Sequence, residues 1–274
     1  MVNFLFKNIL NLNMLEISLP YLAEETIEEF IRSFIGNKKA VIAISGGIDS
    51  ALVTMLASRS IKKENIMAFH MPDQENDPQD ELDAESLCNE LGIKFNVIKL
   101  DPFLEPFKKM YQDRMILGNI KARLRMVIIY SIANKENAFV VGSSNKTELL
   151  TGYFTKYGDG AADLYPIGDL YKTQVRQLAR IVSLPEKFIE KVPTAGLWKG
   201  QTDEGELGIK YEILDKILYG IEQFMSDEQI SDELKISIDT IKSIRQRIEK
   251  TKHKRVLLYI PKLGIRTVGL DFRE

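Results

Sequence analysis

The chain has few of the residues that form disulfides or metal centres. Cys88 is its only cysteine, which excludes an intramolecular disulfide and a cysteine-based zinc site. His70 and His253 are its only histidines, too few for a histidine-rich metal site on their own. Cys88 lies among leucines at helical spacing, so packing is a better interpretation of it than nucleophilic chemistry. These absences fit a reducing compartment, and we expect a cytoplasmic protein.

A charge excess and a long apolar run are also missing. The 37 Lys and Arg residues nearly balance 39 Asp and Glu, which argues against a generic nucleic-acid-binding surface. The apolar start of the chain is interrupted by Asn8, Asn11 and Asn13, is too short to span a membrane and lacks a small-residue cleavage site. We therefore expect no nucleic-acid or membrane partner, an N-terminal extension over residues 1–19, and a single domain over residues 20–274.

Apolar strands alternate with helical patterns over the first half of the chain. We predict strands at Ala40 to Ile44, Ile66 to Phe69, Phe95 to Leu100 and Ala138 to Val141, with helices between them. This alternation predicts an α/β fold: a Rossmann-like, three-layer α/β/α arrangement with a parallel sheet. The pattern after residue 208 is helical, which predicts a helical C-terminal part. Ligands of such folds bind at the carboxyl ends of the strands.

The segment from Ser45 to Ser50 follows the first strand and is the most informative stretch of the chain. It reads Ser-Gly-Gly-Ile-Asp-Ser, a sharp turn that opens a helix. Glycines let the backbone approach a phosphate closely, and free N–H groups at a helix start point towards it. The loop lacks the Gly-Lys-Ser/Thr ending of Walker loops and the third glycine of the dinucleotide fingerprint. An ordinary tight turn is the alternative, and the full pattern favours an anion site.

Two polar segments without sustained periodicity are predicted as loops, from Gly142 to about Leu170 and from Lys191 to Gly208. Loops of this length in a compact domain are usually functional or disordered. The aromatic content of the first one, with Tyr153, Phe154 and Tyr157, argues against disorder. The aromatic rings could stack on a ligand or simply pack the loop, and Trp198 in the second loop is more typical of a core residue.

Several motifs together make the chain resemble the NAD synthetase family over roughly residues 20 to 256. The opening Ser-Gly-Gly-Ile-Asp-Ser is shared across the ATP-pyrophosphatase superfamily, which includes GMP synthetase, asparagine synthetase and tRNA-thiolating enzymes. The motifs that narrow the resemblance, in chain order, are Asn119-Ile120-Lys121-Ala122-Arg123-Leu124-Arg125-Met126, Gly142-Ser143-Ser144-Asn145-Lys146-Thr147-Glu148, Gly152-Tyr153-Phe154-Thr155-Lys156-Tyr157-Gly158-Asp159, Tyr171-Lys172-Thr173-Gln174-Val175, Pro193-Thr194-Ala195-Gly196-Leu197-Trp198 and Gly200-Gln201-Thr202-Asp203-Glu204.

The resemblance implies a reaction and its partners. The carboxylate of nicotinic acid adenine dinucleotide (deamido-NAD) would attack the α-phosphate of ATP, pyrophosphate would leave, and ammonia would displace AMP to give NAD. Family members that use glutamine carry an additional amidase domain with a nucleophilic cysteine. The sequence shows no such domain, and Cys88 lies in the wrong context, so we expect free ammonia as the nitrogen donor. The family also implies a homodimer with the dinucleotide at the subunit interface, for which residues 124–132 are a candidate element.

The resemblance also assigns an ATP site with Mg²⁺. Asp49 and Glu148 match the magnesium ligands, since Mg²⁺ takes hard oxygens and shares phosphate oxygens with ATP. Ser45 and Lys172 are the expected catalytic residues, with lysine acting as a point charge against developing negative charge. Without the motif, Asp49 would read as a helix N-cap, Glu148 as a solvated loop charge and Lys172 as an exposed surface lysine. The implied ATP-binding set is Ala43, Ile44, Ser45, Gly46, Gly47, Ile48, Asp49, Ser50, Ser143, Lys172 and Thr194.

A third set of positions matches those that hold deamido-NAD in the family. These residues are Arg123, Lys156, Asp163, His253 and Lys254. An anionic dinucleotide needs cationic partners, and a carboxylate can accept from ribose or base donors. Taken alone, Arg123 would be interpreted as part of a charged helix face, and the run His253-Lys254-Arg255 as solvated surface charge. The segment from Asp73 to Asp80 departs from the family pattern, so the sequence does not define the loop over the ATP site.

Two other functions fit parts of the sequence. An ATP-pyrophosphatase acting on tRNA would need catalytic cysteines or an RNA-binding domain, and the chain offers one cysteine and no basic excess. A nucleotide-binding sensor that has lost catalysis would be expected to lack a magnesium carboxylate, whereas Asp49 and Glu148 are both present. Binding of ATP without release of pyrophosphate would favour the sensor.

Overall fold

The protein was analysed as a computed structural model, which describes residues 14–256, 258–269 and 271. Strands and helices alternate up to residue 141, and helices follow. The elements are α1 (Ala23–Ile35), β1 (Lys39–Ala43), α2 (Ile48–Ser60), β2 (Ile66–His70), α3 (Pro78–Leu91), β3 (Lys94–Val97), α4 (Asp101–Met110), α5 (Arg114–Glu136), β4 (Ala138–Val141), α6 (Lys146–Thr151), α7 (Lys172–Ile181), α8 (Glu186–Ile189), α9 (Asp203–Leu207), α10 (Tyr211–Glu222), α11 (Asp227–Leu234), α12 (Ile238–Lys250) and α13 (Lys252–Arg255).

The described strands form a parallel sheet in the order β3-β2-β1-β4. Successive residues of β1 point to opposite faces, which separates the core into two layers. Ala40 and Ile42 face a cluster that includes α1, α2 and α7, whereas Val41 faces a cluster that includes Ile129 of α5. The predicted three-layer α/β/α fold is confirmed, with the sheet covered on both sides by helices.

The strand order reverses between β1 and β4, because the chain proceeds from β1 to β2 and β3 on one side and returns to β4 on the other. A crevice forms at such a switch point, outside the carboxyl ends of the strands. The turn after Ala43 and the segment after Val141 therefore meet at one edge of the sheet. This edge is where the sequence predicts the ligand to bind.

A third apolar cluster fixes the helical C-terminal part against the segment before α1. Tyr211, Leu214 and Ile241 are buried in it together with Leu15. Gln177 of α7 binds this segment at both Ile17 O and Leu19 N. Residues 14–19, assigned to an extension from the sequence, thus pack on the domain. Residues 1–13 lie outside the described residues, and the division at residue 19 stays a prediction.

Several segments differ from the sequence-based prediction for local reasons. The strand predicted from Phe95 to Leu100 ends at Val97, because Leu100 is already the N-cap of α4.

The segment from Asp73 to Asp80, which the sequence did not define, ends in helix α3. This helix begins at Pro78, because Pro fits the first helical position and the Asp77 side chain caps Gln79 N at 2.9 Å. The predicted loop from 142 to 170 contains α6, and the loop from 191 to 208 contains α9. Both helices are too short to show a periodic pattern. In the part of the chain that the structure describes, no helix is both long and apolar enough to cross a bilayer.

Candidate active site

The turn between β1 and α2 is held in place by Ser50. Its hydroxyl donates to Gly47 O at 3.1 Å and accepts from Ser45 N at 3.1 Å. Gly47 occupies the N-cap position of α2 and provides no side-chain cap, so the first N–H groups of the helix are not used by a capping side chain. Asp49 therefore is not the N-cap, and that alternative interpretation of it is wrong. The turn offers oriented N–H groups to an anion.

Gly46 is the one position in this turn that only glycine can occupy. Its φ is +78°, and a Cβ there would lie 2.7 Å from Asp80 O, a backbone atom of α3. Gly47 has no positive φ, and the nearest atom to a Cβ there is the Ser45 hydroxyl at 3.3 Å. The contact between Gly46 and Asp80 brings the start of α3 directly against the turn.

We predict that Gly46→Ala lowers the free energy of unfolding by about 2 kcal/mol or more, because a strained backbone costs about 1–3 kcal/mol and the clash adds to it. Gly47→Ala is the matched control and should cost about 1 kcal/mol or less. Urea unfolding of the two variants measures the difference. Equal losses of stability would contradict the assignment of the tight contact to Gly46.

The segment after β4 brings a carboxylate to the same edge of the sheet. Asn145 caps α6 by accepting from Glu148 N at 3.0 Å, and the Glu148 carboxylate accepts from Asn145 N at 3.3 Å. The Asn145 amide also donates to Asp49 Oδ1 at 2.9 Å. One buried asparagine thus ties the two strand ends together and places Asp49 near Glu148.

Lys172 lies between these two carboxylates. Its ammonium forms an ion pair with Asp49 and lies 3.5 Å from Glu148 Oε1, and the residue is 1% exposed. The interpretation of Lys172 as an exposed surface lysine is therefore wrong. Burial alone would lower the pKa of Lys172, but the charges of Asp49 and Glu148 outweigh it and raise the pKa. The site therefore holds a permanent positive charge.

Burial raises the pKa of Glu148 to about 8, and the Asp49 charge adds to the shift while Lys172 opposes it. The ordinary value is 4.5. Between these two values the unfolded chain is ionised while the folded protein holds the proton. Ionisation then favours the unfolded state, so the free energy of unfolding falls as the pH rises from about 4.5 to about 8.

A Glu148→Gln variant cannot titrate at this position and keeps the amide oxygen needed for the capping box. We predict that the stability of this variant relative to wild type increases from pH 4.5 to pH 8. Urea unfolding of both proteins at several pH values, with a chelator present, measures this difference. A difference that does not change with pH would contradict the raised pKa.

Two buried acidic residues were given no role from the sequence, one that lines the cleft and one that contacts Thr147 and Thr173 next to it. Asp203 accepts from the Tyr211 hydroxyl at 3.0 Å, and burial raises its pKa while the Lys172 charge opposes the shift. Asp215 of α10 accepts from the Thr147 hydroxyl at 2.6 Å and from Thr173 N at 2.8 Å. Asp203 lies in the motif Gly200-Gln201-Thr202-Asp203-Glu204 and could have been selected from it. Asp215 lies in an ordinary helical pattern, which does not distinguish it from a surface aspartate.

A cleft of about 580 Å³ opens at this edge of the sheet. Lys254, Trp198 and nearly the whole predicted ATP set line it, Gly46 being the exception. Trp198, interpreted as a core residue, thus borders the cleft. The backbone groups of Ile44 already have partners within the protein, because its N–H donates to Phe69 O and its carbonyl contacts His70 Nδ1 at 2.8 Å. Ile44 therefore lines the cleft without offering a free backbone hydrogen bond. Thr194 is exposed on the loop that closes one side.

Four of the five predicted deamido-NAD residues lie outside the cleft lining. Arg123 donates to Lys156 O at 3.4 Å, and the Lys156 ammonium donates to the carbonyl of His253, so these three form one continuous surface. Asp163 accepts from Val140 N at 2.7 Å. The Lys254 ammonium instead donates to two main-chain carbonyls, Gly152 O and Phe154 O, at 2.7 Å each. Burial lowers the pKa of Lys254.

Comparison with known proteins identifies the family of this chain. A family model described as NAD synthase matches residues 23–257. The chain belongs to the NAD synthase family. An NH(3)-dependent NAD(+) synthetase of Methanosarcina mazei is 44% identical over 250 residues, covering 88% of this chain and 98% of the relative. The corresponding enzyme of Pyrococcus furiosus is 42% identical over 246 residues, covering 88% and 95%.

Solved structures related to the NAD synthase family share the same fold. An NMN synthetase from Francisella tularensis has a TM-score of 0.79 at 33% identity, covering 90% of this chain and 100% of the neighbour. An NH3-dependent NAD synthetase from Campylobacter jejuni has a TM-score of 0.74 at 32% identity, covering 88% and 97%. The predicted family is therefore confirmed.

The acidic residues of the cleft fit a magnesium ion shared with a nucleotide. Asp49 and Glu148 both line the cleft, and both carboxylates contact the same Lys172 ammonium. No group of three or more His, Cys, Asp or Glu residues arranged like a complete metal site occurs within the described ranges. Two carboxylates completed by phosphate oxygens and water are a common arrangement for Mg²⁺, whereas Zn²⁺ requires more protein ligands.

Proposed function

We propose that this protein catalyses the ATP-dependent amidation of deamido-NAD to NAD, with ammonia as nitrogen donor and with AMP and pyrophosphate as the other products. This is the last step of NAD biosynthesis, and the enzyme is a carbon–nitrogen ligase. Family membership and the relatives named NH(3)-dependent NAD(+) synthetase support the activity. The observation that carries the proposal is the buried Lys172 ammonium, held by Asp49 and Glu148 at the end of the Ser-Gly-Gly turn.

Adenylation is the first half of the reaction. A carboxylate oxygen of deamido-NAD forms a bond to the α-phosphorus of ATP, and the bond from that phosphorus to the bridging oxygen of pyrophosphate breaks. Negative charge then accumulates on the leaving pyrophosphate, and groups already oriented towards it stabilise the transition state. The N–H group of Ile48 at the start of α2, the Ser45 hydroxyl and the Lys172 ammonium are suited to this task, because all three residues line the cleft.

Amide formation is the second half. Ammonia forms a bond to the activated carbonyl carbon, and the bond to the AMP oxygen breaks, so AMP leaves and a proton is lost from nitrogen. The positive charge of Lys172 favours departure of AMP, whose phosphate becomes an anion. The activated carbonyl would react with water in an open site, so the loops around the cleft should also exclude solvent.

Asp49 and Glu148 would hold Mg²⁺ through hard carboxylate oxygens. When bound, the ion would neutralise charge on the ATP phosphates. The raised pKa of Glu148 describes the metal-free protein, and a cation beside the carboxylate favours its ionised form. Ala43, Ile44, Ile48, Ser50, Ser143 and Thr194 would complete the ATP site, because all of them line the cleft.

The surface formed by Arg123, Lys156 and His253 would bind the dinucleotide at the contact with a second copy of the chain. Its cationic groups suit the anionic pyrophosphate of deamido-NAD. Its position outside the cleft lining is consistent with a site that is complete only in a homodimer. Asp163 and Lys254 would border the same site, and sedimentation with and without deamido-NAD would test the dimer.

An assay with defined substrates tests the proposal. Purified protein receives Mg-ATP with deamido-NAD or with nicotinate mononucleotide, and with ammonium or with glutamine, while NAD, its mononucleotide counterpart and pyrophosphate are measured separately. We expect NAD from deamido-NAD with ammonium but not with glutamine. Faster amidation of the mononucleotide would assign the activity named for the Francisella neighbour, and absence of pyrophosphate in every combination would contradict the enzyme assignment.

A further inference from the structure

Two loops border the cleft on the side away from the sheet. The first comprises residues 71–77, between β2 and α3, and the second comprises residues 192–202, before α9. Met71, Asn76, Thr194 and Gly196 from these loops line the cleft. The loops lie more than a hundred residues apart in the chain, so chain connectivity does not fix their relative position.

A single buried lysine contacts both loops. Lys121 of α5 is 3% exposed, and its ammonium lies 2.9 Å from Asp73 Oδ2 and also forms an ion pair with Glu75. The same ammonium donates to Leu197 O at 2.8 Å. One charged group thus binds two carboxylates of the first loop and a main-chain carbonyl of the second.

A second contact joins the loops directly. The Asn76 side chain donates to Gly196 O at 3.0 Å, and its own carbonyl accepts from Asp73 N at 2.9 Å. Helix α5 lies close beneath the second loop at Gly118, where an added Cβ would be 3.2 Å from both Leu197 and Trp198. The two loops and α5 therefore form one packed unit with Lys121 at its centre.

Removal of the Lys121 ammonium would leave the buried Asp73 carboxylate without its closest cation. Asp73 is buried, and apart from Lys121 the nearest cation is Arg125, whose guanidinium nitrogen is 3.9 Å away. Removal of one partner of a buried ion pair leaves an uncompensated charge, which is strongly unfavourable. Without Lys121, the first loop would gain stability by moving Asp73 into water, and the second loop would lose its bond at Leu197.

We propose that Lys121 is a positioning residue that couples the two loops, so that Thr194 is placed for the ATP phosphates and water is excluded from the activated carboxylate. This inference rests on the proposed amidation. Lys121 itself does not line the cleft. Failure of the coupling would allow water to attack the activated carbonyl carbon, which returns deamido-NAD and releases AMP without forming NAD.

The test measures AMP and NAD together at saturating ammonium for wild type, Lys121→Met and Lys99→Met. Lys99 forms an exposed ion pair with Glu81 at 2.8 Å and serves as the matched control. We expect one AMP per NAD in wild type and control. In Lys121→Met we expect at least about two AMP per NAD and a KM for ATP raised about tenfold, since small displacements of positioning groups cost up to about a hundredfold.

A lysine with only a structural role gives a different result. Lys121→Met would then have a lower melting temperature but still form one AMP per NAD with an unchanged KM for ATP, and this outcome would overturn the proposal. If Lys121→Met does not fold, Asn76→Ala takes its place, because Asn76 is only partly buried and provides the second contact. One AMP per NAD with an unchanged KM in Asn76→Ala would then overturn it. A wild type that forms no NAD would instead overturn the proposed function.

Discussion

Replacing Lys172 with methionine will reduce the rate of NAD formation by about a hundredfold to a thousandfold, the range expected when a preorganised group that stabilises developing charge is removed. Lys172 is the buried cation between Asp49 and Glu148, and methionine keeps much of its volume without the charge. Charge would then accumulate on the leaving pyrophosphate without its ammonium partner. Single-turnover release of pyrophosphate measures the step directly.

Lys146→Met is the matched control for this substitution. Lys146 also pairs with two carboxylates, Asp169 and Glu222, but lies outside the cleft lining. We expect its turnover to stay within about threefold of wild type, because partly exposed ion pairs contribute little. Equal losses in the two variants would show a general effect on folding, and a fully active Lys172→Met enzyme would contradict the role of the lysine.

Replacing Asp49 with asparagine will reduce turnover by about a hundredfold or more, because the carboxylate of Asp49 would hold the magnesium ion that neutralises charge on the ATP phosphates. Asparagine is nearly isosteric and can still accept from the Asn145 amide, so the fold should be retained. The loss should be smaller at high Mg²⁺ concentration, since one hard ligand of the proposed ion remains at Glu148. Turnover as a function of Mg²⁺ concentration, with circular dichroism as a check on folding, tests this.

Asp77→Asn controls for the loss of an aspartate at a helix start. Asp77 caps α3 and lies outside the cleft lining, and asparagine caps a helix about as well as aspartate. We expect unchanged turnover and an unchanged Mg²⁺ requirement in this variant. Normal Mg²⁺ dependence in Asp49→Asn would remove Asp49 from the proposed metal site.

The sequence predicted the parts of the site that lie near the strand ends. The strand from Ala138 to Val141 agrees with the structure in both bounds, and the Ser-Gly-Gly turn follows β1 as expected. Asp49 and Glu148 were selected by the family resemblance, and a parallel sheet brings the chain positions after β1 and β4 to the same edge. The ion pairs that both carboxylates form with Lys172 could not be predicted from periodicity. Burial of a lysine depends on partners that are distant in the chain.

The remaining differences arise from tertiary contacts. Asp215 contacts Thr147, which lies 68 residues earlier in the chain, and Thr173, which lies 42 residues earlier. Lys121 lies in the motif that starts at Asn119, but only the folded structure shows that it contacts both loops, residues 71–77 and 192–202. The deamido-NAD set stays a prediction, because most of it lies outside the cleft of this single chain.

The proposed reaction begins when the carboxylate of deamido-NAD attacks the α-phosphate of ATP in this cleft. The most direct measurement uses deamido-NAD labelled with oxygen-18 in its carboxylate, in a single turnover with Mg-ATP and ammonium, followed by mass spectrometry of the products. We expect one labelled oxygen in AMP, one retained in NAD and none in pyrophosphate. Label in pyrophosphate, or NAD formed without labelled AMP, would contradict it.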